Sequence, residues 1–409
     1  YYEHQPRIRR MTTSPFAPLF TSPASDAEGR LETFAARGGR VLLAVLVPVI
    51  AVSASTAAGG EIEDQLAAIC QSQNVPGIIA ASVGPDGVIE LACAGVRKRG
   101  SSDAISIDDQ FSIASNSKAF TATLAAVLVD DGVLEWSTTI SDVWPDQPVH
   151  EGFKNVTLEQ LLAHAGGLQK DLPLTGPEWG SFFAERFKPE QERARMCQLL
   201  LTKAPAGTVG KHDYSNLGYV IVAAMLEELG KQPFEQLMKQ RVFDPLKMTS
   251  TEFCSTKKLK AAKGPLLWGH GAKGEPIKPG APVSENPTVY AGCGTIRTTI
   301  GDWAKFLRWH LNESAGPVLK SDETIRRLHE GDTDRGIPGQ KYGFGWIRFE
   351  SPFGRTLQHT GNNSNQYSLV WLMPDAKRAT LVMTNTGEEQ AFAACDAATV
   401  VLMQRPAFK

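Results

Sequence analysis

Ser115-Asn116-Ser117-Lys118 sets a hydroxyl and an amine three residues apart, a spacing that puts both on one face of a helix. A serine hydroxyl becomes a useful nucleophile once a neighbouring group takes its proton. An amine one turn away can do this when it is held neutral. Phe120, Leu124, Val127 and Leu128 follow and supply an apolar wall that favours the uncharged form. At a helix start the serine N–H has no intrahelical acceptor and can bind a developing oxyanion. The pattern alone is weak, with about one chance match expected in a chain of this size. Ser255-Thr256-Lys257-Lys258 is such a match, but it lies in a lysine-rich polar stretch and reads as solvated surface.

Tyr214-Ser215-Asn216 is the one Tyr-x-Asn in the chain and sits at a loop-to-helix junction. A phenol beside an ammonium loses its proton more easily and can relay it to a leaving group. An Asn amide can hold a substrate carbonyl or the lysine. Ser215 or Asn216 also suits a helix cap, and the two readings are compatible. His359-Thr360-Gly361 ends an apolar strand near the C-terminus. Backbone N–H groups beyond such a strand can complete an oxyanion hole, while His359 and Thr360 can bind a polar or anionic substrate end. His-x-Gly also occurs at His150, His164 and His329, so His359 stands out only by its adjoining hydroxyl and strand.

These residues need a scaffold. The chain has 409 residues, 42% hydrophobic and 21% charged, with a formal net charge of −2. That is ordinary globular composition, with no basic footprint for nucleic acid, and it points to a small-molecule or peptide substrate. Residues 61–74 have the apolar period of an amphipathic helix, and Ile78–Val83 with Val88–Cys93 read as a hairpin across Gly84-Pro85-Asp86-Gly87. Thr356–His359, Tyr367–Met373 and Thr380–Thr384 read as three more strands, closed by a helix over 388–404. Helical periodicity fills the middle, at 117–131, 157–164, 216–230, 233–242 and 301–312. The predicted fold is therefore α/β (α+β): an antiparallel sheet flanked by helices and built from both chain ends, around a largely helical inserted lobe. The sheet lobe is expected over about 60–115 and 335–409, and the helical lobe over about 116–334. The cleft between them is the expected site.

Ahead of residue 60 lies a predicted leader, residues 1–58. Arg37 and Arg40 precede the apolar run 41–52 and small residues follow, as in a secretory signal cleaved after Ala54 or Ala58. Export to a secreted or periplasmic location is expected, with no membrane span after cleavage; the run otherwise reads as a membrane anchor or a mitochondrial leader. Six cysteines show no Cys-x-x-Cys spacing, so free buried thiols are expected, and neither a metal nor a cofactor.

Taken in order, Ser-x-x-Lys, Tyr-x-Asn and His-Thr-Gly resemble the motifs of the serine β-lactamase and penicillin-binding protein family. The branch with class C β-lactamases, D-alanyl-D-alanine carboxypeptidases and esterases is the nearest in pattern. Val75-Pro-Gly-Ile, Phe111-Ser-Ile-Ala, Leu161-Leu-Ala-His-Ala-Gly-Gly-Leu168, Pro205-Ala-Gly and Ala291-Gly-Cys-Gly also look like family segments, so the resemblance runs from about 62 to 404. It implies that Ser115 attacks a carbonyl and forms an acyl-enzyme, with Lys118 and Tyr214 handling its proton. It further implies that Asn216 orients the substrate, that His359 and Thr360 meet its far end, and that the N–H groups of Ser115 and Asn362 form the oxyanion hole. The expected activity is hydrolysis of an amide or ester carbonyl, as a carboxypeptidase, esterase or β-lactamase. An acyltransferase or a non-catalytic acyl-ligand sensor on the same scaffold is the alternative. Relatives with β-lactamase activity usually carry lysine where this chain has His359, and a histidine, only partly charged near neutral pH, would grip a carboxylate more weakly. His164 is expected to be structural. His212-Asp213 lacks the Gly-x-Ser-x-Gly turn of an α/β-hydrolase, which argues against a Ser-His-Asp triad.

Overall fold

Helix α1 (Glu61–Ser72) buries Ile62, Leu66, Ile69 and Cys70 on one face, and Glu61, Glu63 and Asp64 in its first turn complement the helix dipole. The computed structural model that shows this describes residues 60–172, 177–282, 284–387 and 389–408. The predicted leader and its apolar segment lie outside the described residues. Strands β1 (Gly77–Gly84) and β2 (Gly87–Gly95) form the expected hairpin. Every residue of β1 is buried because alternate side chains enter different cores. Ile78 and Ala80 pack with α1, while Ile79, Ala81 and Val83 join the larger core on the other face.

The middle of the chain supplies the long helices α2 (Ser117–Asp130), α3 (Asn216–Gly230) and α4 (Ile300–Asn312), besides the helix Pro189–Leu201. The chain then returns through β3 (Thr333–Asp334), β4 (Lys341–Gly343), β5 (Trp346–Ser351), β6 (Gly354–Asn362), β7 (Tyr367–Met373) and β8 (Arg378–Thr384) to a last helix, α5 (Gln390–Gln404). One eight-stranded antiparallel sheet results, ordered β2-β1-β8-β7-β6-β5-β4-β3. The two chain ends meet where β1 pairs with β8, Ile78 opposite Thr384. Helices α1 and α5 cover one face of the sheet, sharing the smaller core with its strands, and α4 packs on the other.

The sheet is thus assembled from both chain ends, as expected, but its C-terminal part holds six strands rather than three. β5 goes from two buried residues, Trp346 and Ile347, to half-buried or exposed ones over Arg-Phe-Glu-Ser, a weak signal beside the continuous apolar runs of β7 and β8. The helix Pro189–Leu201 was also unforeseen, because its buried face carries Glu192 and Arg193 among the apolar residues. All six cysteines are free thiols, and all but the half-buried Cys93 are buried. Among the described residues no helix is long and apolar enough to cross a membrane.

Candidate active site

Phe111–Ser112 pairs with Ile296–Thr298 in a small second sheet, and the Ile113 N–H donates to the Ile296 carbonyl at 3.0 Å. A tight turn, Ala114–Asn116, then leads into α2. Ala114 has φ 43°, a left-handed conformation that costs a residue with a Cβ about 1 kcal/mol or more. The sheet holds the turn in that state. The Ser112 N–H donates to Gln366 Oε1 at 2.7 Å, Asn116 Nδ2 to Ser368 Oγ at 2.8 Å, and Ser368 Oγ to the Ile113 carbonyl at 3.0 Å. Gly361 of β6 lies directly on that same carbonyl, with no room for a side chain. From Phe111 to Phe120 every residue but Ser115 is buried.

Lys118 follows one turn later and is wholly buried, since α2 is enclosed from Ser117 to Leu128. Its Nζ donates to Ser115 Oγ at 3.0 Å, to Asn216 Oδ1 at 2.8 Å and to the Cys293 carbonyl at 3.4 Å. The Tyr214 hydroxyl donates to the same Ser115 Oγ at 3.0 Å, and the Tyr214 ring centre is 4.8 Å from Lys118 Nζ. Two segments far apart in sequence therefore converge on one hydroxyl, and a third meets Lys118 through the Cys293 carbonyl. Ser115, Lys118, Tyr214 and Asn216 are brought together as one hydrogen-bonded group.

Ser215 caps α3 by accepting from the Gly218 N–H at 3.2 Å, and the Asn216 N–H donates to the Lys170 carbonyl at 2.9 Å, so capping does hold in addition. Beneath Tyr214 lies His164, its ring centre 4.2 Å away and its Nδ1 accepting from the Ser215 N–H at 3.1 Å. Burial drives the His164 pKa well below the usual histidine range, with the Lys118 charge adding to the effect. His212 turns its Nδ1 to the Ala163 carbonyl at 3.1 Å. The Ser255 decoy is a cap: its Oγ accepts from the Lys258 N–H at 3.2 Å, starting a short polar helix.

His359 departs from its expected state. It is buried, its Nδ1 donates to the Thr360 carbonyl at 2.7 Å, and its Nε2 accepts from the Tyr342 hydroxyl at 3.0 Å. Burial, then the Lys118 charge, pushes its pKa down to about 3. The histidine is therefore neutral near neutral pH, not the partly charged group its residue type suggests. Thr360 and Asn362, next to it on β6, are half-buried, and Gly361 is buried.

A family model described as Beta-lactamase matches residues 61–403. The chain belongs to that family. It is an enzyme of the serine hydrolase type. Penicillin-binding protein 4 of Amycolatopsis lactamdurans is 28% identical over 342 residues, covering 81% of this chain and 86% of that protein. An unguisins hydrolase of Aspergillus violaceofuscus is 24% identical over 360 residues, covering 81% of this chain and 62% of that protein. Among solved structures, a D-alanine carboxypeptidase from Burkholderia cenocepacia superposes with a TM-score of 0.66 at 19% identity, over 83% of this chain and 98% of that one.

In this β-lactamase-family chain the structure adds residues that motif reading did not single out. Asp171 Oδ1 accepts from Asn216 Nδ2 at 2.9 Å and from the Tyr290 hydroxyl at 2.8 Å. Tyr342 anchors His359, and the Cys293 carbonyl faces Lys118. No sequence spacing links Asp171 to Asn216; only the loop after Gly166-Gly167-Leu168 brings them together.

Proposed function

We propose that this chain hydrolyses amide or ester carbonyls through an acyl-serine intermediate formed on Ser115. The observation that carries this reading is the convergence of Lys118 Nζ and the Tyr214 hydroxyl on Ser115 Oγ, each at 3.0 Å. Ser115 Oγ forms a bond to the carbonyl carbon while its proton passes into the Lys118–Tyr214 pair. The same pair returns a proton to the leaving nitrogen or oxygen as that bond breaks. Water then attacks the acyl ester and restores the serine hydroxyl. Asn216 holds the acyl side of the substrate, Thr360 and the end of β6 meet its other side, and the N–H groups of Ser115 and Asn362 bind the oxyanion. A small-molecule or peptide substrate suits this cleft.

Within this class we favour peptide or ester hydrolysis over penicillin breakdown. A buried neutral His359 supplies no fixed cation for a carboxylate at the place where many relatives carry lysine. The test is to incubate the wild-type protein and Ser115→Ala with nitrocefin, p-nitrophenyl acetate and a D-alanyl-D-alanine peptide, following turnover and intact mass. Turnover of ester or peptide above nitrocefin, with an acyl adduct that disappears in the variant, is the expected result. No adduct and no turnover with any of the three would overturn the acyl-serine reading.

A further inference from the structure

Asp171 is the acidic end of a hydrogen-bonded chain that starts at the nucleophile. Ser115 Oγ accepts from Lys118 Nζ at 3.0 Å, Lys118 Nζ donates to Asn216 Oδ1 at 2.8 Å, and Asn216 Nδ2 donates to Asp171 Oδ1 at 2.9 Å. Tyr290 donates its hydroxyl to the same carboxylate oxygen at 2.8 Å. An asparagine amide can turn over and exchange its oxygen for its nitrogen, and the donors and acceptors around it decide which way it faces. A carboxylate only accepts. Asp171 therefore binds the nitrogen side and turns Asn216 Oδ1 toward Lys118; the flipped amide would set an NH2 group against the lysine amine and an oxygen against a carboxylate.

We infer that Asp171 is a positioning residue of this active site, which fixes the Asn216 amide so that its oxygen holds Lys118 beside Ser115. This rests on the acyl-serine reading above. It also has an electrostatic consequence, because a carboxylate one amide away from Lys118 favours the proton-bound form of the base that serves Ser115. The titratable groups around Lys118 are Tyr214 just ahead of α3, Tyr219 in its first turns, His164, Cys293 and His359, with Asp171 one amide away through Asn216. Burial holds His164 and His359 neutral, raises the Tyr219 phenol and pushes the Cys293 thiol up to about 12. Asp171 is thus the carboxylate of this group. Whether Lys118 or Tyr214 is the base, removing a nearby negative charge lowers that base's pKa and moves the acid limb of activity to lower pH.

The test compares Asp171→Ala with Asp171→Asn. The alanine removes both the acceptor and the charge; the asparagine keeps an oxygen for Asn216 and removes only the charge. Against an activated ester, Asp171→Ala is expected to lower kcat on the order of 100-fold, with KM changed no more than about threefold. Asp171→Asn should recover most of kcat while its acid limb lies about one pH unit lower. Asp171→Ala with wild-type kcat and an unmoved limb overturns the inference, and so does an asparagine variant as inactive as the alanine one. If the alanine variant does not fold, an unmoved acid limb in Asp171→Asn overturns it alone. Lys118 titration, followed by NMR on protein with 15N-labelled lysine, reads the same shift without turnover. A wild-type protein that forms no Ser115 adduct would instead sink the acyl-serine reading, while the NMR shift would still decide the role of Asp171.

Discussion

Gly361 faces the Ile113 carbonyl so closely that a Cβ on it would stand 2.0 Å from the oxygen, and 2.6 Å from Ser368 Oγ. The contact joins β6 to the turn that presents Ser115, and the strained Ala114 sits one residue beyond it. The glycine of the third motif is therefore required by close approach of two backbones, not by an unusual dihedral of its own.

Gly361→Ala should be among the most damaging single-methyl changes in the chain. The Ile113 carbonyl is backbone, and Ser368 Oγ is hydrogen-bonded to it, so neither yields easily and the overpacking is expected to cost roughly 3 kcal/mol. Thermal unfolding should show the midpoint falling by several degrees, with ester turnover lost at temperatures where the variant is still folded. A variant with the wild-type midpoint and turnover would mean that β6 is not seated on the turn that carries Ser115.

His359 sets an acid limit on stability. Its pKa is about 3 in the folded protein against about 6.5 in an unfolded chain. Between those values the unfolded chain holds the extra proton, so stability present above about pH 6.5 is lost as the pH falls toward 3. At pH 5 the loss attributable to this residue is about 2 kcal/mol. Wild-type and His359→Asn proteins compared from pH 7.5 to 4.5 should show a shallower fall in midpoint for the variant. Parallel curves would show that the histidine is protonated in the folded state.

Much of the fold was legible because its elements announce themselves locally. Ile62, Leu66, Ile69 and Cys70 repeat with a helix period, and Pro85-Asp86 interrupts two apolar runs as a hairpin turn does. Ser115, Lys118, Tyr214 and Asn216 were legible as types and spacings, and they meet in one hydrogen-bonded group. What sequence alone withheld depends on surroundings. Nothing in the letters His359-Thr360-Gly361 says that Tyr342 will cap the histidine ring or that burial will keep it neutral. Asp171 likewise becomes part of the site only when the loop after Gly167 folds back on Asn216. The short strands β3 and β4 are too brief to show a period at all.

A buried ion network lies away from the site, on the helix Pro189–Leu201. Arg193 has no exposed surface and pairs with Glu227 of α3 and with Glu235 of the short helix that follows α3. Arg193→Met would leave both carboxylates without their guanidinium, and breaking such a pair from one side is expected to cost about 3 kcal/mol. Chemical denaturation should show that loss, while acylation of Ser115 in the folded fraction stays at the wild-type rate. Equal stability of the two proteins would mean that solvent already screens the glutamates.

Lys118 separates stability from chemistry most sharply. The folded protein encloses this amine completely and holds it with Ser115, Asn216 and the Cys293 carbonyl rather than on the surface. Enclosing a charge or an amine is costly, and apolar replacements of similar volume at such places are often neutral or stabilising. Lys118→Met should therefore unfold at or slightly above the wild-type midpoint. Turnover should fall by roughly 1,000-fold, within the range that a positioned proton-transfer group contributes. Tyr214→Phe removes one of the two groups on Ser115 Oγ but leaves the ring packed on His164, so a loss of about 100-fold with an unchanged midpoint is expected. If Lys118→Met lost stability in step with activity, the lysine would be a packing element and Tyr214 alone would carry the proton. If Tyr214→Phe kept full turnover, Lys118 would be the sole base, and the Tyr214 hydroxyl would serve only to orient the serine.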